Sequence, residues 1–253
     1  MATTYLSRTQ ITGSTDADKK FTVSVWLKKS NTGVIEVIWS SGTGSSDGVD
    51  IYFDTSDQLC FEANDGSETP EVITSRLFRD PGAWYHVVVA VDTTQGTPAD
   101  RVKMYINGVQ ETVFGTATYP TLNYVCSVGT TSDVMNIARG TRAGSSLYFN
   151  GVMAHLHYTE GQVYAASDFG STDATSGIWV PNTGPSVTYG NNGLFLKFAS
   201  GALGTDSSGE GNTMAVSGTM TPTKDNAQNN FCTFNPLDFG QSATANASLS
   251  NGN

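Results

Sequence analysis

Phe21-Thr22-Val23-Ser24-Val25-Trp26-Leu27-Lys28 decides the fold. Phe21, Val23, Val25 and Leu27 stand on one side of this octapeptide, and Thr22, Ser24, Trp26 and Lys28 on the other. Successive side chains of an extended strand point to opposite faces, so a period of two over this length predicts a strand with one buried face. Working outward, short runs of the same kind recur: Val34–Ser40, Val49–Asp54, Gln58–Ala63, Glu71–Arg76, Trp84–Asp92 and Val102–Ile106. The segments between them are rich in Gly, Ser, Asp and Asn. Asn107-Gly108 separates two apolar-alternating runs. Both residues tolerate positive φ, which a two-residue type I′ turn requires, so a tight hairpin is predicted there. Many short strands with regular turn signals indicate an all-β sandwich or jelly roll.

Further strands are predicted at Tyr124–Val128, Val134–Ala138, Leu147–Tyr158 (interrupted at Asn150-Gly151), Leu194–Phe198 and Thr213–Ser217. Gly161–Phe169 is the single short-helix candidate. One domain is expected over residues 1–240. The small, polar stretch 241–253, QSATANASLSNGN, is expected to be an extended or disordered tail.

The chain has 253 residues, enough for one large sandwich. Charged residues make up 14%, against roughly 25% in ordinary soluble proteins. The surface must therefore be mainly Ser, Thr, Asn and Gly, as suits a protein that packs in an assembly or works outside cells. The net charge of −10 repels phosphate backbones and no Lys/Arg run is present, which argues against a nucleic-acid partner. No apolar stretch approaches the roughly 18–20 residues of a membrane span. MATTYLSRTQ lacks the basic-then-apolar pattern of a secretory signal. Cys60, Cys126 and Cys232 are far apart and odd in number. With no C-x-x-C among them they read as free thiols, not as a zinc or redox motif.

FTVSVWLKK, WYHVVVAVDTT, VKMYINGVQ and FNGVMAHLHYTEGQVYAASDFG occur in the order found in laminin G-like, concanavalin A-like domains, and the chain resembles that group. The resemblance implies two facing antiparallel sheets. A narrower resemblance rests on YLSRT, FGSTDATSGIWVPN, YGNNGLFLKFAS and LGTDSSGEGNTMAVSGTMTPTKDNAQNNFCTFNPLD. These segments resemble structural and tail-fibre-like proteins of marine bacteriophages, over nearly all of residues 1–240. That implies a virion structural protein, either a capsid decoration or a tail- or fibre-associated subunit. Its partners would be other virion proteins, copies of itself in a trimer, and host-surface polysaccharide. It would reach the virion by assembly in the host cytoplasm. In that group a further β domain often follows a segment like LSNGN. A free lectin-like module is the alternative, and a glycan hydrolase the third reading.

Hydrolysis of a glycosidic bond needs two carboxylates across the scissile bond. The strand motif Glu-x-Asp-x-x-Glu is absent, and Glu36 and Glu62 each stand without a partner at that spacing, so no enzymatic activity is expected. A sugar site needs aromatic faces beside amides and carboxylates. Trp26 and Trp39 are the candidate sugar-binding residues. Trp26 lies opposite the apolar face of its strand, so either it is exposed or that strand is covered on both sides. Trp84 and His86 read as packing residues, and Trp179 in GIWVP as a plug between a loop and the sheet edge. His155 and His157, two apart, read as sharing a face and offering two metal ligands. Among hard-oxygen clusters, Asp206, Glu210 and Asn212 of DSSGEGN are the candidate calcium ligands. The pairs Asp47/Asp50 and Asp54/Asp57 are weaker candidates. Ordinary turn chemistry is the competing reading for all of them.

Overall fold

The protein is described from a computed structural model covering residues 3–44, 46–140 and 147–228. Sixteen strands succeed one another along it: β1 Tyr5–Thr9, β2 Lys20–Lys29, β3 Glu36–Gly44, β4 Asp47–Phe53, β5 Gln58–Asn64, β6 Glu71–Leu77, β7 Tyr85–Asp92 and β8 Val102–Ile106, then β9 Val109–Gln110, β10 Phe114–Thr118, β11 Val134–Ile137, β12 Gly151–Glu160, β13 Gly170–Thr172, β14 Trp179–Pro181, β15 Leu194–Leu196 and β16 Ala215–Ser217. Among the described residues, helix is confined to a 3₁₀ turn at Pro98–Asp100 and one α turn, α1, at Ala166–Phe169.

The strands form an eight-stranded sheet in the order β10-β6-β5-β4-β3-β11-β1-β16 and a six-stranded sheet in the order β15-β12-β2-β7-β8-β9. All pairings are antiparallel. A small β13-β14 ribbon stands apart. The inner faces meet in one apolar core, where Phe21 stacks on Trp39 with ring centroids 5.9 Å apart and Trp39 on Tyr158 at 5.4 Å. Phe21, Val23, Val25 and Leu27 all enter this core, as their alternation requires.

The hairpin at Asn107-Gly108 forms as expected, with φ of +50° and +84°, although β9 is only two residues long. The long strand expected from Leu147 starts instead at Gly151. A Cβ there would lie 2.1 Å from the Lys28 carbonyl oxygen, so only glycine lets the backbone enter the sheet beside β2. The predicted strand Tyr124–Val128 is not a strand. Tyr124, Cys126, Ser127 and Val128 are buried, but the Cys126 N–H donates to the Asp18 carbonyl and the Val128 N–H to that of Cys126, so no ladder forms. The helix expected over Gly161–Phe169 is reduced to α1, and β1, β10 and the β13-β14 ribbon were not anticipated. Cys60 and Cys126 are buried free thiols. Cys232, the boundary at residue 240 and the tail 241–253 lie outside the described residues.

Candidate functional site

Strand β2 is covered on both sides. Its outer face carries Thr22, Ser24 and Trp26. In register, Trp26 stands between His86 of β7 and Ala154 of β12, and Ser24 between Val88 and His157. Residues 161–189 cross over this face. Ala166 and Phe169 form a second, small core with Val88, against which Tyr164, Trp179 and Val187 also pack. Trp26 is therefore only 3% exposed.

The polar groups of this second interface are hydrogen-bonded in a directed chain. An indole N–H can only donate, so the 2.9 Å contact from Trp179 Nε1 makes His86 Nδ1 the acceptor. The ring proton then sits on Nε2, which donates to Ser24 Oγ at 2.9 Å. Burial, reinforced by His155, lowers the pKa of His86 to about 3, which keeps this tautomer neutral. His157 is pushed well down for the same first cause, and its Nδ1 bonds the Tyr189 hydroxyl at 2.9 Å.

Trp179 is the plug foreseen in the sequence. Its ring lies against Gly108 and Gly170, where added Cβ atoms would come within 2.8 Å and 2.7 Å of it. The hairpin glycine is thus required twice, for its φ and for the indole beside it.

Where this covering ends, a cleft of about 820 Å³ opens, in the size range of small-molecule sites. Trp26, Trp84 and Trp179 line it together with Asn107, Asp173, Ser176, Ile178 and Gln228. The three indoles play different parts. Trp84 is half-buried, and its Nε1 donates to Asp225, which also pairs with Lys28 at 2.9 Å. Trp179 is pinned. Trp26 stacks on His86 at 4.7 Å, and its buried Nε1 has no hydrogen-bond partner. A buried indole N–H without an acceptor costs about 1–3 kcal/mol.

The expected site residues separate in space. Trp39 is a core side chain at 0% exposure and presents no face to a ligand. Trp26 is not an exposed platform either, but it does line the cleft. In the DSSGEGN loop, Asp206 accepts backbone N–H bonds from Phe195, Ser208 and Asn212 and a hydroxyl bond from Ser208. The Asn212 amide donates to the carbonyls of Asn191 and Gly193, and Glu210 is exposed. Asp206 and Asn212 are thus occupied in turn chemistry, and among the described residues no three His, Cys, Asp or Glu side chains converge on a metal position. His155 and His157 are separated by a β-bulge in which His155 has φ of +46°. Both stack on Phe195, at 6.0 Å and 4.0 Å, so a phenyl ring occupies the place of a shared ion.

Glu62, which the sequence left without a partner, has neighbours across the sheet. It pairs in register with Asp50 on one side and Glu71 on the other, on the outer face of the eight-stranded sheet. Glu36 is instead buried in an ion cluster with Lys29 and Asp57.

No curated protein matches the chain. Among solved structures it is similar to the native heptameric SAP-like pentraxin from Limulus polyphemus, with 14% identity over 72% of this chain and 87% of that one and a TM-score of 0.45. It is similar to domain 4 of AbnA, a GH43 extracellular arabinanase from Geobacillus stearothermophilus in complex with arabinotriose, with 17% identity over 58% and 63% and a TM-score of 0.44. It is also similar to the enzymatically active domain of bacteriophage CBA120 tailspike protein 2, with 14% identity over 65% of this chain but 25% of that one and a TM-score of 0.45. The family described as the concanavalin A-like lectin/glucanases superfamily matches residues 3–167. With well over half of its residues matched and its strands arranged as two facing antiparallel sheets, the chain belongs to the concanavalin A-like lectin/glucanases superfamily.

Proposed function

We propose that the protein is a carbohydrate-binding sandwich whose ligand enters the tryptophan-lined cleft, and that it serves as a structural and adhesive subunit of a bacteriophage particle. The observation that carries the binding reading is the convergence of three of the four tryptophans on one cleft. Trp84 offers the accessible indole for stacking on a sugar's apolar face. Asn107, Asp173 and Gln228 supply acceptors and donors for hydroxyls. The test is a screen of the full chain against host-envelope and plant glycans, with and without calcium. Binding that Trp84→Ala weakens roughly 10-fold or more, about the loss of one good contact, supports the cleft. No binding to any glycan under either condition overturns the reading.

The particle role rests on the sequence resemblance over residues 1–240. Counting copies per purified particle by quantitative mass spectrometry tests it. Hundreds indicate a capsid decoration, a few to a few tens a tail or fibre position, and a count near zero removes the virion. Sedimentation velocity tests the trimer.

Glycan hydrolysis is the second reading, favoured by the adjacent carboxylates Asp50, Glu62 and Glu71. Cross-strand neighbours stand about 4.5–5.5 Å apart at Cβ, close to the spacing of retaining carboxylate pairs. Reducing-end release by the wild-type chain that Glu62→Gln abolishes would establish it. Binding without release is the expected result.

A further inference from the structure

At one end of the sandwich, the structure gathers a buried amine and two buried carboxyl groups. Lys29 closes β2 of the six-stranded sheet, Asp57 lies in the turn between β4 and β5 of the eight-stranded sheet, and Glu36 opens β3. Their exposures are 1%, 2% and 0%. Lys29 Nζ is 2.9 Å from Asp57 Oδ1 and 3.7 Å from Glu36 Oε2. Glu36 Oε2 has no hydrogen-bond partner. Phe53 lies beneath the amine at 4.4 Å, and Phe78 packs on Phe53 at 5.1 Å.

We propose that Lys29 and Asp57 become joined by an intramolecular amide bond that ties the two sheets together, with Glu36 as the proton carrier. An amine held 2.9 Å from one carboxyl oxygen has the carboxyl carbon within about 3–4 Å, near the distance of productive attack. Two donors already point at the oxygens that gain charge in the tetrahedral intermediate: the Gly33 N–H, 2.9 Å from Oδ1, and Arg79 Nε, 3.2 Å from Oδ2. The reaction begins from the ammonium–carboxylate pair, in which Arg79 and the Gly33 N–H favour the ionised acid. A proton moves from Lys29 to Asp57, leaving two neutral groups. Nζ then attacks Cγ and the N–C bond forms. Glu36 takes one N–H proton and returns it to the departing hydroxyl, the C–O bond breaks, and one water leaves. Charge and atoms balance with no oxidant or other reactant. Burial raises Glu36 to about 6, a value at which a carboxyl both gives and takes protons near neutrality. Lys29, Asp57 and Glu36 are themselves nearly closed to solvent, which slows hydrolysis of the product, and the amide replaces a buried ion pair, whose desolvation is costly.

The test is the intact mass of the purified full chain, followed by proteolysis and fragment sequencing. The expected result is a mass lower by one water, and a branched fragment linking the segments that contain Lys29 and Asp57. Lys29→Arg, which keeps the charge but lacks the nucleophile, should show full mass and a thermal midpoint lower by about 10 °C, the worth of one cross-link in a chain of this size. Glu36→Gln should fold with an unchanged circular dichroism spectrum and also show full mass. A wild-type chain that keeps its full mass after long incubation, with Lys29 and Asp57 recovered in separate fragments, overturns the proposal and leaves an ordinary buried ion pair. A water-deficient Glu36→Gln chain would overturn the carrier role.

Discussion

The two faces of β2 are both buried, yet they are built on different principles. The inner face, Phe21, Val23, Val25 and Leu27, is apolar throughout and meets other apolar side chains. The outer face, Thr22, Ser24 and Trp26, is almost as inaccessible, but its contacts are directed. Thr22 Oγ1 accepts the Tyr164 N–H, Ser24 Oγ bonds His86, and His86 receives Trp179. Alternation along a strand thus reports which side is polar, not which side is wet. Non-directional burial tolerates no cavity, whereas directed burial tolerates no unpaired group. The cleft lies at the border of the second kind of interface, where Trp26, Trp84 and Trp179 line it.

Four experiments would break or sharpen this contrast. Phe21→Ala on the inner face should cost about 3–5 kcal/mol through loss of buried area and the cavity left behind, read from urea unfolding. A loss below about 1 kcal/mol would mean that the inner face is not the main core.

Acid should act chiefly through the outer face. His86 and His157 bind a proton less readily folded than unfolded. As pH falls below 6.5 the unfolded state therefore gains protons first, and stability drops until the folded pKa, about 3 for His86, is passed. Glu36 and Asp133, raised by burial from 4.5 and 3.8 to about 6, oppose this between those values, because the folded state takes up their protons first. Below that window Asp57, Asp92 and Asp206, all held low, add to the loss. The expected curve declines gently from pH 6.5 to about 4 and then steeply. His86→Phe should be less stable at pH 7, by about 1–3 kcal/mol, because Trp179 Nε1 loses its acceptor. It should also lose up to about 1.4 kcal/mol per pH unit of the acid dependence. Parallel pH–stability curves for the two proteins would contradict a neutral, buried His86.

Gly108→Ala strains a residue at φ of +84° and drives a methyl into the Trp179 ring. A loss of about 1–3 kcal/mol is expected, together with a change in tryptophan fluorescence as the plug shifts. An unchanged spectrum would show that Trp179 is not held by the hairpin. The smallest effect is expected at Glu210→Ala, which is exposed, within about 0.5 kcal/mol and with no change in calcium response. A calcium-dependent midpoint lost in this variant would restore Glu210 as a metal ligand.

Most strands were legible because one residue in two is apolar and Gly, Asn and Asp mark the turns. Val102–Ile106 and the Asn107-Gly108 turn were read to the residue. Tyr124–Val128 was misread because apolar side chains are also buried in coil that is held by single hydrogen bonds to neighbouring turns. The cleft was not legible as a site. Its indoles come from positions 26, 84 and 179, and nothing in local periodicity brings them together. The one usable sign was Trp26 on the polar side of its strand, which the sequence reading left open between exposure and double cover.

By itself the sequence determined the class of fold, the buried inner face of β2 and the tight hairpin, because these depend on side-chain period and on backbone preferences within a few residues. Only the tertiary structure decided that Trp39 is core and Trp26 a cleft floor. It alone turned Asp206 and Asn212 into loop fasteners, gave Glu62 its carboxylate neighbours, and set Lys29 against Asp57. Each of those outcomes depends on which distant strands become neighbours, and pairing between sheets is fixed by global packing that no local pattern encodes.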